Sequence, residues 1–143
     1  MANVVAARKG HPLRATRSLS ALRDADWLVL DPLDDAGTPF GQIFSQHGLA
    51  LPERVTECSF MSLALSMCLR MDTLILLSAE SLTSRYLRDT MDFFDIDERM
   101  PERMISLVTR ERHTLAGSAA RLHDALGDAL RDYDPLKRAP LEP

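Results

Sequence analysis

Two short apolar runs of strand length, Trp27-Leu28-Val29-Leu30 and Thr73-Leu74-Ile75-Leu76-Leu77, and a further strand candidate, Val55 to Cys58, are separated by segments whose apolar residues recur at helical spacing. Crossovers of that length favour parallel pairing, so the alternation points to an α/β sheet. Val4 to Ala7 adds a strand that leaves into the turn Arg8-Lys9-Gly10-His11-Pro12, and Ser18 stands as the cap of a short helix over Leu19 to Arg23. Asp31 to Pro39, rich in Asp, Gly and Pro, reads as a loop; Phe40, Ile43 and Phe44 then mark a helix that Gly48 stops. Ser59 stands where a cap belongs, before an almost all-round apolar helix through Phe60, Leu63 and Met67 that is expected to be buried. A helical stretch with Leu82, Tyr86 and Leu87 follows Ser78 to Ser81, and Asp89 to Glu102 reads as a connection holding a partial strand. Met104 to Val108 is expected as a further strand. Thr114 or a neighbour then caps a long helix with Leu115, Leu122, Leu126, Leu130 and Tyr133 on one face. Pro135 stops that helix, leaving 135–143 as an expected disordered tail.

Composition removes several functional classes. A chain of 143 residues with 45% apolar and 27% charged residues has the size and balance of one soluble domain. Its net charge is -4, and its 15 Arg are scattered rather than blocked, so no surface is laid out for nucleic-acid phosphates. No apolar stretch approaches the roughly 20 residues of a membrane span, and residues 1–13 lack the apolar run of a secretory signal, so a cytoplasmic protein without a membrane partner is expected. Cys58 and Cys68 have no CxxC spacing and read as reduced thiols; no metal site is expected. No glycine loop cradles a nucleotide, and no cofactor is expected. His11, His47, His113 and His123 show no catalytic pattern, so the chain does not read as an enzyme.

Open α/β sheets bind ligands beyond the carboxyl ends of their strands, where loops turn into helix N-termini. Two places fit. In the loop after Leu30, Gly37 permits close backbone approach and Thr38 offers a hydroxyl just before Pro39; after Val55 to Cys58, Ser59 faces the start of its helix. Each hydroxyl serves equally as a plain helix cap, and both readings stay open.

Together these segments resemble the effector-binding region of LysR-type bacterial transcription regulators, specifically its second half. Val4 to Leu13 is similar to that family's crossing strand and "GHPL" turn, and Leu19 to Leu30 to the element that follows. Gly37-Thr38-Pro39-Phe40 with Phe44 and Gly48-Leu49 resembles its "GTPL" loop and helix, and Glu57-Cys58-Ser59 its "ETS" strand end. Asp72 to Leu77, Leu107 to Arg110 and Leu115 to Leu130 resemble its later strands and closing helix, so the resemblance runs over about residues 4–133. Ser78 stands where the family usually has proline, and Gly41 replaces a common basic residue.

The resemblance implies a Rossmann-like subdomain of the periplasmic-binding-protein-like (type 2) fold, truncated at its N-terminus. Residues 1–8 would be a crossover strand, 9–100 the second effector-binding subdomain, and 101–134 a return strand and helix belonging to the first. It further implies sensing: a small organic effector, expected to be anionic, lodges between subdomains and biases oligomer geometry. Gly37, Thr38, Phe40, Ser59 and Phe60 would contact it, with Val5, Ala6, Ile105 and Ser106 as hinge residues. A homo-oligomer is expected, with DNA reached only through a winged helix-turn-helix domain that has no counterpart here. The alternatives are a ligand-free dimerisation module and a solute-binding domain.

Overall fold

The computed structural model describes residues 3–35, 37–102, 106–109 and 115–131. The chain divides into two compact units, Met1–Arg103 and Met104–Pro143.

The first unit is a mixed sheet with helices on both faces. Its strands are β1 (Asn3–Arg8), β2 (Asp26–Val29), β3 (Val55–Glu57), β4 (Thr73–Ser78) and β5 (Met91–Phe94), in the spatial order β3-β2-β4-β1-β5. The helices are α1 (Leu19–Leu22), α2 (Pro39–Ser45), α3 (Met61–Cys68) and α4 (Arg85–Thr90), with a 3-10 helix over Ala79–Thr83. Successive side chains of a strand point to opposite faces, and the strands sort accordingly. Val5, Ala7, Trp27, Val29, Leu74 and Leu76 join Leu19 and Leu22 of α1 and Phe40, Ile43 and Phe44 of α2 in one core. Ala6, Leu28, Ile75 and Leu77 face the other way, onto Ala64 and Cys68 of α3 and onto Met91. Cover on both faces is why β2 and β4 read as continuous apolar runs rather than alternating ones.

The expected parallel pairing holds for β2 with β3, where Trp27 lies opposite Val55, and for β2 with β4, where Trp27 lies opposite Leu74. It fails for β1, which sits between β4 and β5 and runs antiparallel to both. Apolar periodicity records burial, not strand direction, and β1 satisfies its backbone equally with antiparallel neighbours. β5 is the partial strand expected between Asp89 and Glu102.

Local chemistry sets most helix ends. α2 begins with Pro39, and the hydroxyl oxygen of Thr38 at its N-cap accepts from the Gly41 N–H at 3.2 Å. The chain after α2 turns through Gly48, whose φ is +66°. Ser18 occupies the N-cap of α1 without capping it; instead Glu98, distant in sequence, accepts from the Leu19 N–H at 2.9 Å and from the Ser18 hydroxyl at 3.1 Å. Arg17 binds Asp95 at 2.6 Å and Asp97 at 2.8 Å, so residues 95–98 are strapped across the start of α1.

Two expectations about α3 need correction. Its N-cap position falls on Phe60 rather than Ser59, and no side chain caps it. The helix is also not buried all round: Ala64 and Cys68, four residues apart, face the sheet, while Phe60 is 73% exposed, with Met61 and Leu63 exposed too. A helix laid on one face of a sheet buries only the stripe at i and i+4, whatever the polarity of its other side.

In the second unit, α5 (Gly117–Arg131) carries Leu122, Leu126 and Leu130, all exposed. Of the strand expected over Met104 to Val108, Ser106, Leu107 and Val108 are described; they belong to no strand and are exposed. β-propensity forms a strand only where a ladder partner is at hand. Met104 and Ile105, the expected cap Thr114, Tyr133 and the expected tail 135–143 lie outside the described residues.

Candidate functional site

β2 delivers the chain at Val29 to the carboxyl end of the sheet, where residues 31–35 and 37–38 form a loop leading to the start of α2. That loop, the near side of α2 and Leu51 enclose a cavity of about 170 Å³. Leu33, Phe40, Leu51 and Pro32 supply apolar walls; Asp31, Asp34 and Asp35 supply carboxylates; Thr38 and Ser45 supply hydroxyls, with Gly41 between them.

The loop is braced from within. The Asp35 carboxylate accepts from the Gly37 N–H at 2.8 Å, Gln42 Nε2 donates to the Gly37 carbonyl at 2.9 Å, and the Leu33 N–H donates to Glu57 Oε2 at 3.3 Å. Beneath it Phe40, Phe44 and Trp27 meet edge to face, with ring centroids 5.3 to 5.6 Å apart. Phe40 is only 4% exposed, so it is a core residue that turns one edge to the cavity.

Of the residues expected at the site, Thr38 and Phe40 line this cavity, and Gly37 lies in the loop that forms it without lining it. Ser59 and Phe60 follow the neighbouring strand β3, are exposed, and do not line it. The hinge candidates Val5 and Ala6 lie in the middle of the sheet with no exposed surface, paired on both sides. Ser106 is exposed and in no strand, and Ile105 lies outside the described residues. Asp34 and Asp35 line the cavity too and are exposed to solvent.

A larger cavity of about 320 Å³ lies at the opposite end of the sheet, lined by His11, Leu13, Asp26, Arg54 and Asp72 among others. Its charges are matched, Arg54 to Asp26 at 2.8 Å and Arg8 to Asp72 at 2.5 Å, and it faces the amino ends of the parallel strands. The carboxyl-end cavity is the better candidate despite its size, because strand topology opens crevices for ligands there. Among the described residues no group of His, Cys, Asp and Glu is arranged to hold a metal ion. Burial pushes the Cys68 thiol up, outweighing the opposing effects of the Thr73 side chain and the Arg8 backbone, so it is an inert core thiol. Among the described residues no helix is long and apolar enough to cross a membrane.

The family model described as the LysR substrate binding domain matches residues 3–131. Among solved structures, the chain is similar to the "Effector binding domain of QuiR in complex with shikimate" (13% identity, TM-score 0.72), with 93% of this chain covering 63% of that one. It is similar to HinK, a LysR family transcriptional regulator from Pseudomonas aeruginosa (17% identity, TM-score 0.68, 90% of this chain, 45% of that one). It is also similar to the BenM effector binding domain with its effector benzoate (24% identity, TM-score 0.53, 67% of this chain, 45% of that one). The chain therefore spans less than two thirds of the length of each of these structures. No curated protein matches it.

Proposed function

Because the chain belongs to the LysR substrate-binding domain family, we propose that it is the effector-sensing region of a cytoplasmic transcription regulator. A small organic molecule binds at the carboxyl end of this sheet, between this subdomain and a second one, and biases how subunits pack. DNA contact belongs to a separate domain of such a regulator. The observation that carries this reading is the cavity behind Thr38 and Phe40, at the strand ends of a chain that the family model matches over residues 3–131. Effector binding then works as differential affinity between two subunit arrangements, the energetic requirement for any such switch.

In this reading Thr38 and Phe40 meet the effector directly, Gly37 shapes the loop, and Ser59 and Phe60 stand at the neighbouring strand end where the second subdomain closes. An anionic effector, the class suggested by the Thr38 hydroxyl and the start of α2, would have to approach the Asp31, Asp34 and Asp35 carboxylates. The test is a thermal-shift screen of small organic acids, alcohols and amines against this chain and its Ser45→Trp variant. Ser45 is an exposed lining position, so the indole fills the cavity without entering the core. Saturable stabilisation of the native chain that the variant loses is expected. Stabilisation equal in both, or none from any compound, would overturn the assignment.

A second reading, a self-association module, draws on the exposed Phe60, Met61 and Leu63 of α3. Sedimentation velocity across a concentration series tests it: a dimer lost on Phe60→Ser with Leu63→Ser is expected, and a strictly monomeric chain would refute it.

A further inference from the structure

The flank of α3 that lines a groove with α4 is chemically unlike the apolar patch of Phe60, Met61 and Leu63. Ser62, Leu65, Ser66 and Leu69 recur at i, i+3, i+4 and i+7, so they share one stripe of the helix, and Arg70 follows at its carboxyl end. With Tyr86 of α4 these residues line an open groove of about 330 Å³, within the range of about 300 to 1,000 Å³ of small-molecule sites. The groove shares no lining residue with the carboxyl-end cavity. Its apolar part is anchored: Leu65 and Leu69 pack, with Leu87 of α4, against the core cluster that holds Ala64, Cys68 and Met91.

Its polar side chains are all available. The hydroxyls of Ser62, Ser66 and Tyr86 and the Arg70 guanidinium make no hydrogen bond or ion pair among the described residues. Hydroxyls donate or accept as a partner requires, so the charge of the lining decides which ligand it favours. Arg70 carries the lining's one charge. The acids nearest in sequence are committed elsewhere, Asp72 to Arg8 at 2.5 Å and Asp89 to Arg85 at 3.7 Å. A cation after the last turn of a helix also complements the helix dipole, but that end opposes an anion with at most about half a charge, less than the guanidinium supplies. The groove therefore offers a free cation, three hydroxyls and an apolar floor in a chain whose net charge is -4.

We propose that this groove is a second ligand site, separate from the carboxyl-end cavity, and that it takes a small organic acid. The Arg70 guanidinium, whose fork of N–H groups matches a carboxylate, holds the acid together with the Ser66 and Tyr86 hydroxyls, and Leu65 and Leu69 carry its apolar body. Three probes divide these roles: 3-phenylpropanoate has charge and body, 3-phenylpropanamide has the body without the charge, and acetate has the charge without the body. Each is titrated into the ¹⁵N-labelled chain at low salt. The amides of Ser66, Arg70 and Tyr86 report the groove, and those of Leu33 and Gly41 report the carboxyl-end cavity.

3-Phenylpropanoate is expected to move the groove amides saturably and to bind about tenfold more tightly than either of the other probes. Arg70→Gln should weaken it about tenfold, as should about 1 M salt, while any binding reported by Leu33 and Gly41 keeps its affinity in the variant. Arg70 is exposed, so the glutamine chain should keep its amide spectrum away from the groove. Phenylpropanamide binding as tightly as the acid, or an unchanged affinity in Arg70→Gln, would overturn the anion. Acetate binding as tightly would overturn the apolar floor. Groove amides that move with chain concentration in the absence of any probe would assign the groove to a contact between copies and overturn the small-molecule site, as would groove amides that no probe moves.

Discussion

Replacing Glu98 by glutamine should destabilise the first unit by about 1 to 2 kcal/mol at neutral pH, and the loss should vanish in acid. One Glu98 oxygen takes hydrogen bonds from the Leu19 N–H at 2.9 Å and from the Ser18 hydroxyl at 3.1 Å, so a remote carboxylate caps α1. Bonds to a charged acceptor contribute about 1.5 to 3 kcal/mol each and neutral ones about 0.5 to 1.5. The glutamine side chain keeps an oxygen and loses only the charge assistance, part of which solvent screens in the native protein. Burial alone would raise the Glu98 carboxyl; the bonds from Leu19, its own N–H and Ser18, with the charge of His47, outweigh it and hold the group below the usual glutamate range. A carboxyl whose folded value is depressed stabilises fully above its unfolded value of about 4.3, and that contribution is lost as pH falls through the folded value. Urea denaturation followed by circular dichroism, repeated at descending pH, should therefore show a gap between the native and Glu98→Gln chains at pH 7 that closes in the acid range. Equal stability at pH 7, or a gap that stays constant into acid, would refute the capping role and the sign of the linkage.

Thr38→Ala removes the acceptor for the Gly41 N–H and should cost about 1 kcal/mol, with Thr38→Ser restoring most of it; thermal melts of the three chains decide. Phe44, fully buried and edge-on to both Trp27 and Phe40, should cost about 4 kcal/mol when cut to alanine, read from chemical denaturation through Trp27 fluorescence. A loss under about 1 kcal/mol would mean the cluster repacks around the gap. Gly48→Ala should cost about 1 kcal/mol purely from its φ of +66°, since a Cβ there meets nothing within 4 Å. Gly48→Asn should cost less, because asparagine tolerates that conformation, and equal melting temperatures for the native and Gly48→Ala chains would contradict the argument.

Local sequence chemistry places the strands and helices of the first unit. Trp27 to Val29 and Leu74 to Leu77 are apolar throughout because both faces of the sheet are covered, and Thr38-Pro39 and Gly48 mark the ends of α2 through chemistry confined to a few neighbouring residues. The resemblance carried by Gly37 to Phe40 and Glu57 to Ser59 likewise lay in local motifs, and the family match over residues 3–131 agrees with it.

Other features arise only from contacts between distant segments. That β1 runs antiparallel between β4 and β5, that Glu98 rather than Ser18 caps α1, and that Phe60 is exposed at the head of α3 each depend on residues far apart in the chain. The same holds for the site: only the fold brings Leu51 to the cavity that Thr38 and Phe40 line. Burial periodicity and capping are short-range properties that a single segment expresses alone. Strand direction, remote hydrogen bonds and the balance of charge around a cavity exist only once several segments share a space.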